Sequence, residues 1–407
     1  MKSDLMKKIF NDTAYVRMGG SAEERRVAEY LKTVCADMGL EASFEEFEVD
    51  MAEMEFAELL VDGVPIPCHG YRNCGSGEAE AELYYLASDD KYALSQCKGK
   101  IVLFDGYLGY WRYRDLLANG ALAFISYDGN VNYSDRDIDR RELRSYVSQG
   151  EKILGVNINA KDAVAIVNGD AKTAKITVRQ KEYKGTSQNV VLDLPGQCDR
   201  WITLTAHYDS TSLSQGAYDN MSGCVGLLSM AEYFSQRPHL YGLRFIWCGS
   251  EERGLLGSKA YCTAHENELE SILMDVNLDM IGCVMGKFCS ICTAEQKLVH
   301  YLSYLGDEIG LPVSPIQEIH SSDSTPFADK GIPTASFVRR APANTATIHN
   351  RYDTQNLIKL ENMQKDIAFI TAFVERMANA KIFPVAREIP EEMKVKLDEY
   401  LCRKRKA

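Results

Sequence analysis

No stretch of this 407-residue chain approaches the ~18 uninterrupted apolar residues a membrane span requires, so no membrane partnership is expected. Basic charge is in deficit as well. Lys and Arg total 46 against 58 Asp and Glu, and the resulting net charge of −12 argues against nucleic acid as a partner. The opening residues Met1 to Phe10 carry lysines but run into Asn11 and Asp12 without an apolar core, so they do not read as a secretory signal. Paired cysteine spacings are nearly missing. Of twelve Cys, only Cys289 and Cys292 stand in a Cys-x-x-Cys arrangement, and nothing around them is redox-like. Others (Cys224, Cys248, Cys283) lie in apolar runs, and the set reads as reduced thiols of a cytoplasmic protein. Internal repeats and low-complexity segments are absent. Histidine is scarce, with seven in the chain, so the places where it occurs are informative.

Two of the seven stand in a series of short islands in the second half. These are Ala206-His207-Tyr208-Asp209-Ser210, Tyr218-Asp219-Asn220-Met221-Ser222-Gly223, Ser250-Glu251-Glu252-Arg253-Gly254, Asn277-Leu278-Asp279-Met280 and Thr347-Ile348-His349-Asn350. Most follow or end an apolar run that reads as a strand: 201–206, 243–248, 272–278 and 333–338. In open α/β sheets, ligand sites lie outside the carboxyl ends of strands, where separate loops converge. Asp219 instead opens a helical stretch, since Met221 to Phe234 has apolar residues at helical spacing. Singly, each residue has an ordinary structural meaning: a capping Asp, a hydrogen-bonded His, a solvated acidic pair. Together they supply two His and three carboxylates, a balanced ligand set for two zinc ions, with one Glu of the Glu251-Glu252 pair left over as a base. His69, His239, His265, His300 and His320 have no comparable surroundings and are read as structural.

The islands resemble the co-catalytic di-zinc aminopeptidases related to bacterial leucyl aminopeptidase, aminopeptidase Y and the glutamate carboxypeptidase group. That family's His-x-Asp, Asp-Asn/Asp-x-Ser-Gly, Glu-Glu, strand-end Asp and late His all occur here in order. Gly20-Ser21-Ala22-Glu23-Glu24 is similar to the family's opening helix, and Ser322-Asp323-Ser324 to Phe327 to its Ser-Asp-His-x-x-Phe stretch, with Ser324 in place of the His. The resemblance implies a zinc-exopeptidase fold: a mixed, largely parallel sheet sandwiched by helices in an α/β, phosphorylase/hydrolase-like arrangement. It implies metal ligands His207, Asp219, Glu252, Asp279 and His349, with Asp219 bridging two Zn2+ per chain. His207 and Asp279 complete one shell, Glu252 and His349 the other. Glu251 would be the general base and Asp209 would fix the His207 tautomer by a hydrogen bond. Two ions sharing Asp219 and a water would bring a hydroxide within reach at neutral pH. The implied partner is a peptide, cleaved at its N-terminus. A glutaminyl cyclase working with one zinc is the alternative, because those enzymes share a His-Tyr-Asp-Ser motif like that at 207–210; dipeptidase or carboxypeptidase action on the same scaffold is another. A metal-free binding protein is disfavoured because every ligand is present.

The length calls for two domains. Residues 1–55 and 181–381 are expected to form the catalytic unit, and 56–180 an inserted β-rich domain with one helix, 111–119. Cys97-Lys-Gly-Lys-Ile-Val-Leu103 and Leu117-Ala-Asn-Gly-Ala-Leu-Ala-Phe-Ile125 resemble a protease-associated domain. Residues 382–407 are expected to form a charged amphipathic helical tail exposed to solvent. Phe288, Ile291 and Phe327 are candidate walls of a side-chain pocket.

Overall fold

The computed structural model describes residues 1–406; Ala407, the end of the expected tail, lies outside them. The chain forms two compact units. One is Met1–Phe47 continued from Thr186 onward, the other Glu48–Gly185. Both crossings fall inside continuous strands, Ala42–Val61 and Thr173–Leu194.

In the first unit the central strands run in the spatial order Thr334–Arg340, Ile272–Leu278, Cys198–His207, Tyr241–Cys248, and all three neighbouring pairs are parallel. Lys287–Thr293 flanks them antiparallel on one side, with Ser314–Gln317 parallel beyond it, and Thr173–Leu194 is antiparallel on the other. These strands are buried on both faces, which is why they read as nearly unbroken apolar runs. From Cys198–His207 the chain moves to Tyr241–Cys248 on one side, then crosses to Ile272–Leu278 on the other. The switch point of the sheet therefore lies between the strands ending at His207 and Leu278, where such sheets open a crevice for ligands.

Helix Ser222–Phe234 is buried on nearly all sides, and its sequence is correspondingly apolar all round. Gly223 lets it approach the sheet: a Cβ there would stand 2.2 Å from the Leu278 carbonyl. The core continues through Val276, Phe245, Trp247, Phe337, Phe369 and Phe373. Phe288 and Ile291 belong to the interior. Phe288 stacks on Phe337, and Phe327 packs beside Tyr261, so all three expected pocket walls are buried side chains. Cys289 and Cys292, three apart on one strand, point to opposite faces. All twelve cysteines are free thiols.

The expected solvated tail is a packed element. Helix Glu391–Tyr400 buries Met393 and Leu397 with Ile389 against Ala328 of helix Ser324–Asp329.

The second unit carries more helix than expected. Its strands Gly77–Leu86, Ile101–Phe104, Ala123–Asp128 and Leu154–Asn159 are successive parallel neighbours. The helices are Lys91–Ser95, Tyr110–Ala118, Ser145–Ser148 and Ala160–Asn168. Of these, only the second is expected from the sequence. Lys91–Ser95 and Ser145–Ser148 are too short for a helical period, and Ala160–Asn168 is rich in Ala, Val and Ile, which read equally as strand. Among the described residues, no helix is long and apolar enough to cross a membrane.

Candidate metal centre

The site lies at the carboxyl ends of the parallel strands. His207 is the last residue of its strand, Ser250 to Glu252 follow Cys248 after one glycine, and Asp279 follows Leu278. Asp219 comes from the irregular turn Ala217–Met221 that precedes the buried helix. Asn220 fastens this turn to the Asp279 strand. Its Nδ2 donates to Leu278 O at 2.9 Å, while its Oδ1 accepts from Gly223 N and Met280 N, both at 3.0 Å.

His207 Nε2 is 3.1 Å from Asp219 Oδ1 and 3.7 Å from Asp279 Oδ1. His349 Nε2 is 3.1 Å from Asp219 Oδ2 and 3.2 Å from Glu252 Oε2. Two three-residue clusters result, His207–Asp219–Asp279 and Asp219–Glu252–His349, each with its ligand atoms within 4.8 Å of one another. Asp219 belongs to both and offers one oxygen to each. Glu251 Oε2 stands 3.9 Å from His207 Nε2.

The electrostatics are those of carboxylates crowded around two imidazoles. Burial opposes protonation of His207, yet Glu251, Asp209, Asp219 and Asp279 hold its pKa well above the usual imidazole value. His349 is raised in the same way, against burial, by Glu252 and Asp219. Burial would raise the Asp219 carboxyl, but hydrogen bonds from His207 and His349 outweigh it and hold the group far below its usual range. Burial pushes Glu251 well up, relieved by His207 and reinforced by Glu252, Asp323 and Asp279. Asp279 Oδ1 is buried without a hydrogen-bond partner. An unsatisfied carboxylate oxygen among groups that draw protons this strongly fits a cation, and the mixed nitrogen and oxygen donors suit zinc.

Asp209 Oδ1 approaches His207 Nδ1 at 3.4 Å, but its hydrogen bonds go elsewhere: Oδ1 accepts from Glu251 N at 2.9 Å and Oδ2 from Glu252 N at 3.2 Å. The turn at Ser250, with φ of +54°, aims both amides at this carboxylate.

Other residues frame the site from outside the five islands. Asp353 accepts from Tyr218 N at 2.8 Å and Asp219 N at 3.1 Å, fixing the turn that presents Asp219. Arg17, fully buried, donates to the carbonyls of Tyr208, Gln215 and Gly216. Glu24 accepts from Ser250 N at 2.8 Å. Asp353 lies four residues beyond His349, just past that island, whereas Arg17 and Glu24 lie some 200 residues from what they hold. Ser324, where the resembling family has His, bonds Ser336 Oγ at 2.7 Å inside the protein.

The profile of peptidase family M28 matches residues 189–374, which contain all five candidate ligands. Aminopeptidase YwaD of Bacillus subtilis is 27% identical over 399 residues, covering 94% of this chain and 85% of its own. The structure of BSAP, a zinc aminopeptidase from Bacillus subtilis, superposes with a TM-score of 0.78 at 26% identity over 96% of this chain and 98% of that one. An aminopeptidase from Aneurinibacillus shares the fold, with a TM-score of 0.76 at 22% identity over 95% of this chain and 96% of its own. Residues 189–374, which carry the strand-end clusters at the switch point, thus match peptidase family M28, and the chain is similar to aminopeptidases along nearly its whole length.

Proposed function

We propose that this protein is a zinc-dependent aminopeptidase that removes N-terminal residues from small peptides, with two zinc ions per chain. His207 and Asp279 hold one ion, Glu252 and His349 the other, and Asp219 both. The observation that carries this reading is the division of Asp219, with Oδ1 facing His207 and Oδ2 facing His349. When bound, the ions polarise the scissile carbonyl and acidify water at the site. Glu251 takes the proton of the attacking water and delivers it to the leaving amine, a role suited to a buried carboxyl whose pKa is pushed upward. Asp209 holds the Glu251 and Glu252 amides and so sets where both side chains begin. The similarity to YwaD and BSAP supports aminopeptidase action over cyclisation. Glu48–Gly185 is proposed to be the protease-associated-like domain, and the free thiols support a cytoplasmic location.

The test is a mass-spectrometric digest of a mixed peptide library with ends free or blocked. Stepwise loss from free N-termini, absent from acetylated peptides, is expected. Cleavage of acetylated peptides or loss from the C-terminus overturns the aminopeptidase assignment and leaves a metallohydrolase.

A further inference from the structure

Three consecutive backbone amides end on buried carboxylates. Ser250 N donates to Glu24 at 2.8 Å, Glu251 N and Glu252 N to Asp209 at 2.9 and 3.2 Å. The strand-to-loop turn they form is in a left-handed conformation at Ser250, which an L side chain adopts only when its surroundings impose it. Glu24 supplies the surroundings on one side and Asp209 on the other.

Glu24 reaches the turn from a helix start. Helix Ala22–Asp37 is capped by Ser21, whose side chain accepts from Glu24 N at 3.1 Å. In a capping box the Glu at this position folds back onto the helix start. Here Glu24 Oε2 does accept from Gly20 N at 2.7 Å, but the side chain is buried, 1% exposed, and its other oxygen is spent on Ser250. Ser187 Oγ donates to the same carboxyl at 2.9 Å, and Ser250 Oγ lies 3.1 Å from it. The segment before the helix lies flat on the turn: a Cβ on Gly19 would stand 2.5 Å from Ser250 Oγ and 2.9 Å from Ser250 Cα. A cap alone requires neither the burial nor the contact with a residue 226 positions away.

We propose that Glu24 is a positioning residue for Glu251, fixing the turn from which the base projects, so that the N-terminal helix start is part of the machinery for turnover. This rests on the reading of Glu251 as the base. Glu24 acts on the backbone one residue before Glu251 and touches none of the candidate ligands, so its loss should slow the chemical step and spare substrate and metal binding.

The experiment uses the zinc-loaded enzyme with leucylglycylglycine as the probe. Glu24→Ala is expected to lower kcat by about 10- to 100-fold, the usual consequence of sub-ångström to 1 Å misplacement, with KM and zinc content close to wild type. Glu24→Gln, which keeps an acceptor for Ser250 N, is expected to recover most of that loss. Gly19→Ala, which presses on Ser250 while leaving Glu24 in place, should lower kcat selectively as well, and it carries the test if Glu24→Ala does not fold. In a Glu251→Gln background, Glu24→Ala should add no further loss, because both act through one group. Wild-type kcat in Glu24→Ala, or in Gly19→Ala where Glu24→Ala does not fold, overturns the proposal. So does a loss of zinc in step with activity, or a full additional loss in the Glu251→Gln background. Near-normal turnover by Glu251→Gln alone would remove the base assignment itself and this inference with it, an outcome distinct from the others.

Discussion

Asp209 and Glu251 are joined through the backbone: one oxygen of Asp209 accepts the Glu251 amide at 2.9 Å and also stands 3.4 Å from Nδ1 of His207. A single buried carboxylate thus addresses the imidazole of a candidate ligand and the turn carrying the candidate base. Because its second oxygen takes the Glu252 amide, the directions of Glu251 and Glu252 are set together. Adjacent residues on a turn can then serve different purposes, one at the ions and one at the water.

Asp209→Asn tests that relationship. The amide group cannot accept at both positions, so a buried backbone N–H loses its partner at a cost of ~1–3 kcal/mol. Turnover should fall by at least about tenfold, and zinc affinity should fall as well, because the Glu252 amide that Asp209 holds belongs to a candidate ligand. Steady-state kinetics and a zinc titration against a chelator check both. Normal values for the two would show that Asp209 is incidental.

Metal stoichiometry separates ligands from the base. Two zinc ions per chain are expected in carefully purified protein. Glu251→Gln should retain both and abolish turnover, whereas Asp219→Asn should lose metal and activity together, because Asp219 is shared by both clusters. His349→Ala should weaken one ion and leave the His207 cluster intact. Elemental analysis of the four proteins decides this. One tightly held ion in the wild type, with no gain in activity on adding zinc or cobalt, would favour the single-zinc cyclase reading.

A pH dependence follows from Glu24. Burial, reinforced by Asp209, raises its pKa to about 8 against the hydrogen bonds from Gly20, Ser187 and Ser250. The folded state therefore holds a proton on Glu24 that the unfolded state releases near pH 4.5. The stability this proton contributes is fully present below the unfolded value and is lost as pH rises toward about 8. Glu24→Gln has no such proton to lose. Its melting temperature relative to wild type should climb between pH 5 and pH 8, measured by calorimetry at fixed zinc. A constant difference across that range would mean that Glu24 is ionised throughout.

The strand ends are legible in the sequence because a buried parallel strand is a nearly uninterrupted apolar run, and the polar residue that ends it stands out. Leu278 followed by Asp279 and Ala206 followed by His207 are of this kind. The turn before helix Ser222–Phe234 is legible for the opposite reason, as small polar residues ahead of an apolar helix. What holds these groups in place is long-range and leaves no pattern. Glu24 looks like half of a capping box, and only the fold brings Ser250 to it. Arg17 reads as one surface charge among many until three carbonyls from two distant loops surround it. Phe288, Ile291 and Phe327 mislead because a pocket wall and a core residue have the same composition. The short helices of the second unit are hidden because Lys91–Ser95 and Ser145–Ser148 span little more than one turn each.

The C-terminal helix offers a test of packing against solvation on one element. Leu397 is 3% exposed and Val395, two residues away, is 39% exposed. Leu397 sits with Ile389 and Met393 on Ala328, while polar contacts border the patch: Lys396 to Glu318 at 2.6 Å, Tyr400 to Ser321 at 2.6 Å, and Arg403 to Asp329 at 2.6 Å. Truncating a buried Leu to Ala removes transfer energy and leaves a void, costing ~2–5 kcal/mol. An exposed position on the same helix should change stability by no more than ~0.5 kcal/mol. Leu397→Ala should therefore lower the melting temperature by several degrees, with Val395→Ala close to wild type. The patch adjoins the Ser322 to Phe327 stretch, so the Leu397 variant should also lose catalytic activity earlier on heating than the Val395 variant. Equal melting temperatures for the two would mean that the helix is solvated on both faces, and that the residues after Ile389 contribute nothing to holding that stretch in place.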